Sequence, residues 1–363
     1  MRPTTVAGYE ALARAVTPPA VWDYITGGAG GESTLRGNLA SFAGLWLAPR
    51  VLADVSAVTA ATSFAGTQVG LPVGIAPLAY HTMVHPDGEL AVARAASRHG
   101  ALMVVSMYAG HTLEDIAVAA GGSPLWLQVY PLRDRDLVAG LVARAQAAGY
   151  RGVVLTADSP VHGVRPRDRA HRFQQPFPAA AVNLGAQSPA AAPTLKQLLD
   201  AGLDQTTTWR DLDWYRGLSS LPLILKGVLT AADAVRAADA GVDGVIVSNH
   251  GGRQLDAAVP ALLALPGIAA AVAGRCDVYV DGGVRTGSDV VKALALGARG
   301  VFAGRPVLWA LAAGGEDAAG HLLEMISEEL LTALALCGCS GPDDLDRSLI
   351  VAETGTWARL LAR

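Results

Sequence analysis

The side chains best suited to chemistry lie at residues 248–256, directly after the apolar run 245–247. The run has the β-branched composition of a buried strand, and the segment after it contains His250, which can titrate near neutral pH. Polar, glycine-rich turns are also common after buried strands, and there His250 would be a capping residue and Arg253 a surface cation. The segment is either a reactive strand end or an ordinary turn, and the surrounding elements decide between the two.

Composition indicates a large folded α/β protein. The chain has 363 residues, of which 51% are hydrophobic and 17% charged, so it can bury a core as one large domain or two smaller ones. The formal net charge of -4 gives no electrostatic reason to expect nucleic acid or an anionic membrane as a partner.

The cysteines and the first residues bear on the cellular compartment. Cys276, Cys337 and Cys339 form no CxxC pair and no cysteine–histidine group, so we expect neither a disulfide framework nor a metal site. Residues 1–5 carry one cation and no apolar leader segment, and no apolar run reaches membrane-spanning length. These features favour a cytoplasmic protein without a membrane anchor.

Short apolar runs, each followed by a longer alanine-rich helical segment, dominate the chain from residue 72 onwards. The eight runs are residues 73–77, 102–107, 125–130, 153–158, 223–227, 245–250, 278–282 and 301–305. A helix end, a glycine, a short loop and a strand start recur at 148–153, 240–245 and 296–301, as expected for repeated βα units. The pattern predicts an α/β fold of (β/α)8 TIM barrel type, with an open doubly wound sheet as the competing fold.

Two segments lie outside this repeat. The opening predicts an N-terminal helical cap at residues 1–48, in which Tyr24 is either a packing aromatic or part of a site mouth. The connection after the fourth strand is too long for an ordinary barrel loop, and we expect residues 166–208 to form a lid loop over the site. The chain is then a single domain, 1–363, whose barrel spans 72–347.

The carboxyl-terminal ends of parallel barrel strands open on one face, so the side chains there should converge on a ligand. The ends carry Pro77, Leu78, Ala79, Ser106, Tyr108, Gln128, Tyr130, Thr156, Asp158, Lys226, Ser248, His250, Asp281, Gly282, Gly283, Arg285, Gly304 and Arg305. Seven of the eight runs end in hydrogen-bonding or charged groups, which random loops would not do so consistently. This consistent placement of polar groups at the strand ends favours the interpretation that His250 is reactive.

These strand ends suit a phosphorylated flavin. Glycines and an arginine end each of the last two units, where barrels commonly bind phosphate through backbone N–H groups and a cation. Side chains such as Gln128 and Thr156 suit the edge of a planar heteroaromatic ring with donors and acceptors. Lys226 could place a positive charge beside that ring; a Schiff-base lysine of aldolase type and a solvated cation are the alternatives for it.

Residues 248–256 resemble the signature of the FMN-dependent α-hydroxy acid oxidases and dehydrogenases, the family that contains glycolate oxidase, lactate oxidase and mandelate dehydrogenase. The family's other stretches occur in the same order, at Tyr24, 76–77, 128–130, 156–158, 226–227 and 281–285. The resemblance extends from about residue 9 to about residue 348. It implies FMN as the cofactor and, by family analogy, a homotetramer.

The resemblance also implies roles for individual residues. His250 would be the catalytic base, Asp158 the carboxylate that orients it, and Tyr130 a hydroxyl beside the substrate oxygen. The substrate carboxylate would contact Tyr24, Arg165 and Arg253. FMN would contact Pro77, Leu78, Ala79, Ser106, Gln128, Thr156, Lys226, Ser248, Asp281, Gly282, Gly283, Arg285, Gly304 and Arg305.

The residues around the expected substrate depart from the plant pattern. Tyr80 and Tyr108 stand where plant-type glycolate oxidases have Met and Trp, so the substrate side chain would contact different walls. Ala79-Tyr80 with Tyr108 and a short lid is similar to the bacterial hydroxymandelate oxidase branch, which implies an aryl side chain. Ala79 also favours O2 as the electron acceptor over a quinone.

The reaction that the resemblance implies is oxidation of an (S)-2-hydroxy acid, such as (4-hydroxy)mandelate, to the 2-oxo acid, with O2 reduced to H2O2. A lactate- or glycolate-type oxidase and a quinone-linked dehydrogenase are the alternatives within the family. A non-redox FMN barrel isomerase would not need two arginines beside a His–Asp pair. A non-catalytic flavin- or phosphate-binding protein would not need these residue types either.

Overall fold

Eight parallel strands form a closed barrel in the computed structural model, which describes residues 2–171, 173, 181–187 and 202–352. In chain order the strands are Val73–Ile75, Met103–Ser106, Leu125–Val129, Val153–Thr156, Leu223–Val228, Gly244–Val247, Asp277–Asp281 and Gly300–Ala303. Each strand pairs with the next along the chain, and the eighth pairs with the first. The predicted TIM barrel is confirmed, and the open sheet is excluded.

Along six of the eight strands, the side chains that point into the barrel change from apolar to polar. Successive side chains of a strand alternate between its faces, so residues two apart share one face. The inner apolar layer consists of Val104, Trp126, Val154, Ile224, Ile246, Tyr279 and Phe302. Two residues further along the same strands stand Ser106, Gln128, Thr156, Lys226, Ser248, Asp281 and Gly304. The site therefore rests directly on the barrel core.

A short hairpin, Thr62–Phe64 and Thr67–Val69, closes the opposite end of the barrel. Phe64 is fully buried, and its ring centroid lies 4.9 Å from that of Tyr279 and 5.8 Å from that of Phe302. Aromatic contacts of this kind add to the stabilisation that burial provides. Because this end is filled, the carboxyl-terminal end is the one available to a ligand.

Helices surround the barrel. Before the first strand lie Val6–Val16, Pro19–Thr26 and Ser33–Ala43, where the N-terminal cap was expected. The other helices among the described residues are Gly88–Arg98, Leu113–Ala120, Arg135–Ala147, Pro166–Ala170, Leu212–Gly217, Ala231–Asp239, Ala261–Val272, Gly287–Ala295 and Arg305–Leu336. The last of these is interrupted at Gly314 and Gly315, which have non-helical backbone angles. An antiparallel pair, Leu45–Leu47 with Ile350–Ala352, joins the segment after the third N-terminal helix to the carboxyl-terminal end of the described residues.

The repeated helix-to-strand turns have the predicted geometry. Gly149, Gly241 and Gly297 have φ angles of 88°, 71° and 101°. These left-handed residues end their helices and return the chain to the next strand. The sequence repeat therefore reports a real structural repeat.

The long connection after the fourth strand is described only in part. It contains the helix Pro166–Ala170 and short 3-10 turns at Val182–Gln187 and Trp209–Asp211. Of the predicted lid at 166–208, residues 172, 174–180 and 188–201 lie outside the described residues. The lid as a whole stays a prediction.

Three further features of the described residues concern membrane spans, metal sites and disulfides. Among their helices, none combines the length and apolar composition needed to cross a bilayer. They contain no group of three or more His, Cys, Asp or Glu side chains placed to hold a metal ion. Cys276, Cys337 and Cys339 are all free thiols.

Candidate active site

A cleft of about 1120 Å³, part of it open to solvent, lies at the carboxyl-terminal end of the barrel. Among the predicted site residues, it is lined by Tyr24, Pro77, Leu78, Ala79, Ser106, Tyr108, Tyr130, Arg165, Lys226, His250, Arg253, Asp281, Gly282, Gly283, Arg285, Gly304 and Arg305. The other four are Gln128, Thr156, Asp158 and Ser248. These lie behind the cleft surface and hydrogen-bond to side chains that line it or to one another.

His250 and Asp158 form a hydrogen-bonded pair at the cleft. Nδ1 of His250 lies 2.9 Å from Oδ1 of Asp158, and Nε2 lies 3.4 Å from the hydroxyl of Tyr130. The hydroxyl of Ser159 donates to the same Asp158 oxygen at 2.9 Å. Because an ionised carboxylate can only accept, we assign the imidazole proton to Nδ1. Nε2 is then unprotonated and faces the cleft.

The surroundings set the protonation states of this pair. Burial raises the pKa of Asp158, but the charges of His250 and Lys226 and the hydrogen bonds to Asp158 outweigh it and hold that pKa at about 2. Burial lowers the pKa of His250 and outweighs the opposing effect of Asp158. Near neutral pH the carboxylate is therefore ionised and the imidazole is neutral, as a base with an orienting partner requires.

The backbone at His250 is held in a strained conformation. Its φ angle is 57°, which is uncommon for a residue other than glycine. The backbone N–H of His250 donates to the Ser248 hydroxyl, and the Asn249 side chain accepts from the N–H of Gly252, each at 3.0 Å. Asn249 also exchanges two amide hydrogen bonds with Asn38 of the N-terminal cap. These contacts keep the imidazole aimed into the cleft.

Lys226 is a buried cation within the polar layer. Its Nζ lies 3.0 Å from the Ser248 hydroxyl and 3.4 Å from Oδ2 of Asp281. Burial lowers the pKa of Lys226, but Asp281 and Asp158 outweigh it and raise the pKa overall, so the ammonium stays charged. Oδ1 of Asp281 is buried and has no hydrogen-bond partner among the described residues. A ligand with donor groups would satisfy it.

The second N-terminal helix anchors two arginines by its carboxyl-terminal end. Arg253 donates to the carbonyls of Tyr24 at 2.6 Å and Gly27 at 2.9 Å. Arg305 donates to the carbonyls of Ile25 at 3.1 Å and Gly27 at 3.2 Å. Carbonyls at a helix end lack partners within the helix and carry its negative dipole, so they suit cations. The N-terminal cap thereby fixes the cationic side of the cleft.

The cleft concentrates positive charge. Burial and the charge of Arg165 lower the pKa of Arg253 to about 10. Burial and the charges of three neighbouring arginines lower the pKa of Arg305 to about 9. Both groups stay protonated near neutral pH, and an anion in the cleft would relieve their repulsion. Arg285 lies nearby, 5.0 Å over the ring of Trp309.

Tyrosines form one wall of the cleft. The ring centroid of Tyr108 lies 6.1 Å from that of Tyr80 and 5.6 Å from that of Tyr130. Tyr24, which also lines the cleft, stacks on Phe173 with 4.5 Å between ring centroids. Burial raises the pKa of Tyr80, Tyr108 and Tyr130, so their hydroxyls stay protonated. The wall offers aromatic surface together with hydroxyl groups.

Some residues of the cleft were not among those predicted from the sequence. The cleft is also lined by Ile25, His162, Phe302 and Leu308. His162 follows Asp158 by four residues on the same loop, and that position was the available signal. Ser159 adjoins Asp158 in sequence and was detectable in the same way. The apolar residues have no chemical signature.

Fold and cleft together define a TIM-barrel protein whose cleft contains a neutral histidine, an ionised aspartate and a cluster of partly buried arginines. A family model for FMN-dependent dehydrogenase matches residues 13–352. The chain belongs to this FMN-dependent dehydrogenase family, and its cofactor is FMN.

Known proteins similar to the chain include several oxidases. An L-lactate oxidase from Nostoc sp. is 44% identical over 96% of this chain and 98% of its own. A 4-hydroxymandelate oxidase from Amycolatopsis orientalis is 44% identical over 92% and 94%. Among solved structures, mandelate oxidase with (S)-4-hydroxymandelic acid has a TM-score of 0.91 at 40% identity, covering 97% of this chain and 99% of that one.

The residues present fit FMN. The buried, unpartnered oxygen of Asp281 beside the Lys226 ammonium offers an acceptor and a cation to a polar ring or hydroxyl chain. Arg285 and Arg305 lie at the ends of the last two strands, and the helix Arg305–Leu336 begins at the cleft, where its dipole favours a phosphate. Donors, an acceptor and cations are thus all available to the cofactor.

Proposed function

We propose that this chain oxidises an (S)-2-hydroxy acid to the 2-oxo acid and passes the electrons to O2, giving H2O2. The observation that carries the proposal is the neutral His250, paired with ionised Asp158, in the same cleft as the partly buried Arg253 and Arg165. A base beside two cations suits a substrate that carries both a hydroxyl and a carboxylate. The names of the similar proteins, which include lactate, glycolate and 4-hydroxymandelate oxidases, support the same chemistry.

The arginines and Tyr24 bind the substrate carboxylate. Nε of Arg165 donates to the Arg253 carbonyl at 3.2 Å, which ties the two cations together. The Arg253 guanidinium lies 5.0 Å over the Tyr24 ring, and its NH1 is occupied by backbone carbonyls. Its orientation is therefore set before substrate arrives, which limits the entropy lost on binding.

His250 removes the proton from the substrate hydroxyl through Nε2. The Asp158 carboxylate, on Nδ1, stabilises the imidazolium that forms. The Tyr130 hydroxyl, 3.4 Å from Nε2, donates to the same substrate oxygen and keeps it oriented. Bound FMN supplies the two-electron acceptor for the hydrogen on C2. The residues predicted to hold FMN are those of the polar strand ends, with Lys226 beside the ring and Arg285 and Arg305 at the phosphate.

The tyrosine wall supports an aryl substrate such as mandelate or 4-hydroxymandelate. Tyr80 and Tyr108 present ring faces and edges at contact distance from one another, and an aromatic side chain packs well on such a surface. Both hydroxyls stay protonated, so either can donate to a ring substituent. Lactate and glycolate would leave this wall partly uncovered.

Anaerobic bleaching of the flavin tests the proposal. Purified yellow protein is mixed with each enantiomer of mandelate, 4-hydroxymandelate and lactate and with glycolate, and air is then admitted. We expect bleaching by one enantiomer of an aryl acid and rapid return of colour in air, with H2O2 formed. Colour that returns only with an added quinone would make the protein a dehydrogenase. No bleaching by any 2-hydroxy acid would refute the proposed function.

Assembly and compartment are also proposals. We propose a homotetramer, by analogy with the family, located in the cytoplasm because all three cysteines are free. Light scattering should then give four times the chain mass of 37.2 kDa. A mass of one or two chains would refute the tetramer, and secretion of the native protein would refute the location.

A further inference from the structure

A buried carboxylate that the proposed mechanism does not use lies behind the tyrosine wall. Glu89, in the first turn of the helix Gly88–Arg98, is 1% exposed. Its Oε1 accepts the backbone N–H groups of His81 and Gly110, each at 3.0 Å. Its Oε2 lies 3.1 Å from Nδ1 of His111. A single side chain therefore joins the loop after the first barrel strand to the loop after the second.

Glu89 is charged in this position. Burial raises its pKa, but His81, His111 and the N–H of Gly110 outweigh burial and lower the pKa overall. A buried charge is tolerated only while its hydrogen-bond donors stay in place, because an unpaired buried carboxylate is costly. The two loops are consequently held in one relative position.

The joined loops carry Tyr80 and Tyr108, two of the three tyrosines of the wall. Tyr80 has a φ angle of 56°, which is disfavoured for a bulky side chain. Its own N–H donates to the Tyr108 carbonyl at 3.1 Å, and the N–H of the next residue, His81, donates to Glu89. The strained conformation of Tyr80 persists because bonds on both sides hold it.

The second loop is also held from outside the barrel. The Asn183 side chain, from the connection after the fourth strand, donates to the His111 carbonyl at 2.9 Å. Its oxygen accepts from the N–H of Leu113 at 3.1 Å. His111 is thus fixed between Glu89 and Asn183, so movement of either partner would be transmitted to the loop that carries Tyr108.

We infer that Glu89 is a positioning residue for substrate selectivity, which acts by holding Tyr80 and Tyr108 in place as the wall for the substrate side chain. The inference rests on the proposed function for the kind of substrate and extends it to a residue that touches neither substrate nor cofactor. With the wall held, a bulky planar side chain keeps its contacts. With the wall released, a bulky acid loses more than a small one does.

The test compares flavin reduction by mandelate and by lactate in the holoenzyme. Glu89→Ala should lower the ratio of the two second-order rate constants at least tenfold, mainly through weaker mandelate binding. Glu89→Gln should stay within about threefold of wild type, because its amide oxygen can still accept both backbone N–H groups. The control is Glu316→Gln, a carboxylate that pairs with Arg94 and Arg98 of the same helix, away from the cleft. It should leave the ratio unchanged.

A double-mutant cycle separates positioning from a general loss of stability. In a Tyr80→Ala background the Glu89→Ala change should alter the ratio less than it does in the wild-type background, because one of the two rings that Glu89 positions is gone. Independent, additive effects would overturn the inference, as would a wild-type ratio in flavin-replete Glu89→Ala. If Glu89→Ala does not fold, His111→Leu removes one contact at Oε2 and should shift the ratio in the same direction. An unchanged ratio there would equally overturn it. If neither mandelate nor lactate reduces the flavin of the wild-type protein, that result would instead refute the proposed function.

Discussion

Replacing Asp158 with Asn removes the charge beside His250 and keeps an acceptor oxygen in nearly the same place. The carboxylate lies 2.9 Å from Nδ1, so its attraction to an imidazolium is about 6 kcal/mol at an effective dielectric constant of about 20. That attraction arises only as the proton is taken, so it lowers the barrier and not the ground state. The amide dipole retains part of it, and we expect flavin reduction to slow by about 10³- to 10⁴-fold.

Anaerobic stopped-flow reduction of flavin-replete protein measures this effect across pH. Wild-type reduction should fall as acid protonates His250. Asp158 raises the pKa of His250, so Asp158→Asn should also move this acid limb to lower pH. Ser159→Ala is the graded comparison, because it removes one 2.9 Å hydrogen bond to Asp158 and leaves the charge. It should cost about 10- to 100-fold. An Asp158→Asn protein that reduces its flavin within tenfold of wild type, with an unmoved acid limb, would refute the reasoning.

Three further substitutions have expected outcomes. Arg253→Met removes a charge-assisted contact and should weaken substrate binding by about 10- to 100-fold, as measured by saturation of flavin reduction; wild-type affinity would take Arg253 out of the carboxylate site. Lys226→Met leaves the buried Asp281 carboxylate without its cation and should lower flavin content or the rate of flavin reduction. Absorbance spectra measure the first quantity and stopped flow the second. Unchanged values of both would show that Lys226 has no such role. Gly227 has φ 106°, and a Cβ there would lie 2.5 Å from that of Asp158, so Gly227→Ala should lower both melting temperature and reduction rate; full activity would contradict this.

The barrel could be predicted because its signal is local and repeated. Eight apolar runs separated by helical segments leave few ways to bury every strand, and the glycine turns at 149, 241 and 297 mark the return to each strand. Closure of the barrel then brings all strand ends together, whatever their distance in sequence. Residues as far apart as Ser106 and Arg305 line one cleft for that reason.

The positions of the polar strand ends could be predicted, but the backbone conformation at His250 could not. Alternation along each strand explains why Gln128 and Thr156 follow inward apolar residues, and hence why they lie under the cleft. Nothing in the sequence around His250 indicates that this residue adopts a positive φ angle. That conformation depends on Ser248 and Asn249 bonding the turn and on Asn38 of the cap. Only the folded chain brings these groups together.

The contribution of the N-terminal cap shows why such contacts escape sequence reasoning. Arg253 and Arg305 are recognisable as cations, but their partners are the backbone carbonyls of Tyr24, Ile25 and Gly27. A carbonyl is present at every residue, so no residue type announces it as a partner. What selects these carbonyls is their place at the end of a helix, where they have no acceptor role within the helix. The cap thus acts on the active site through its backbone, and its effect depends on where the helix ends more than on which side chains it carries.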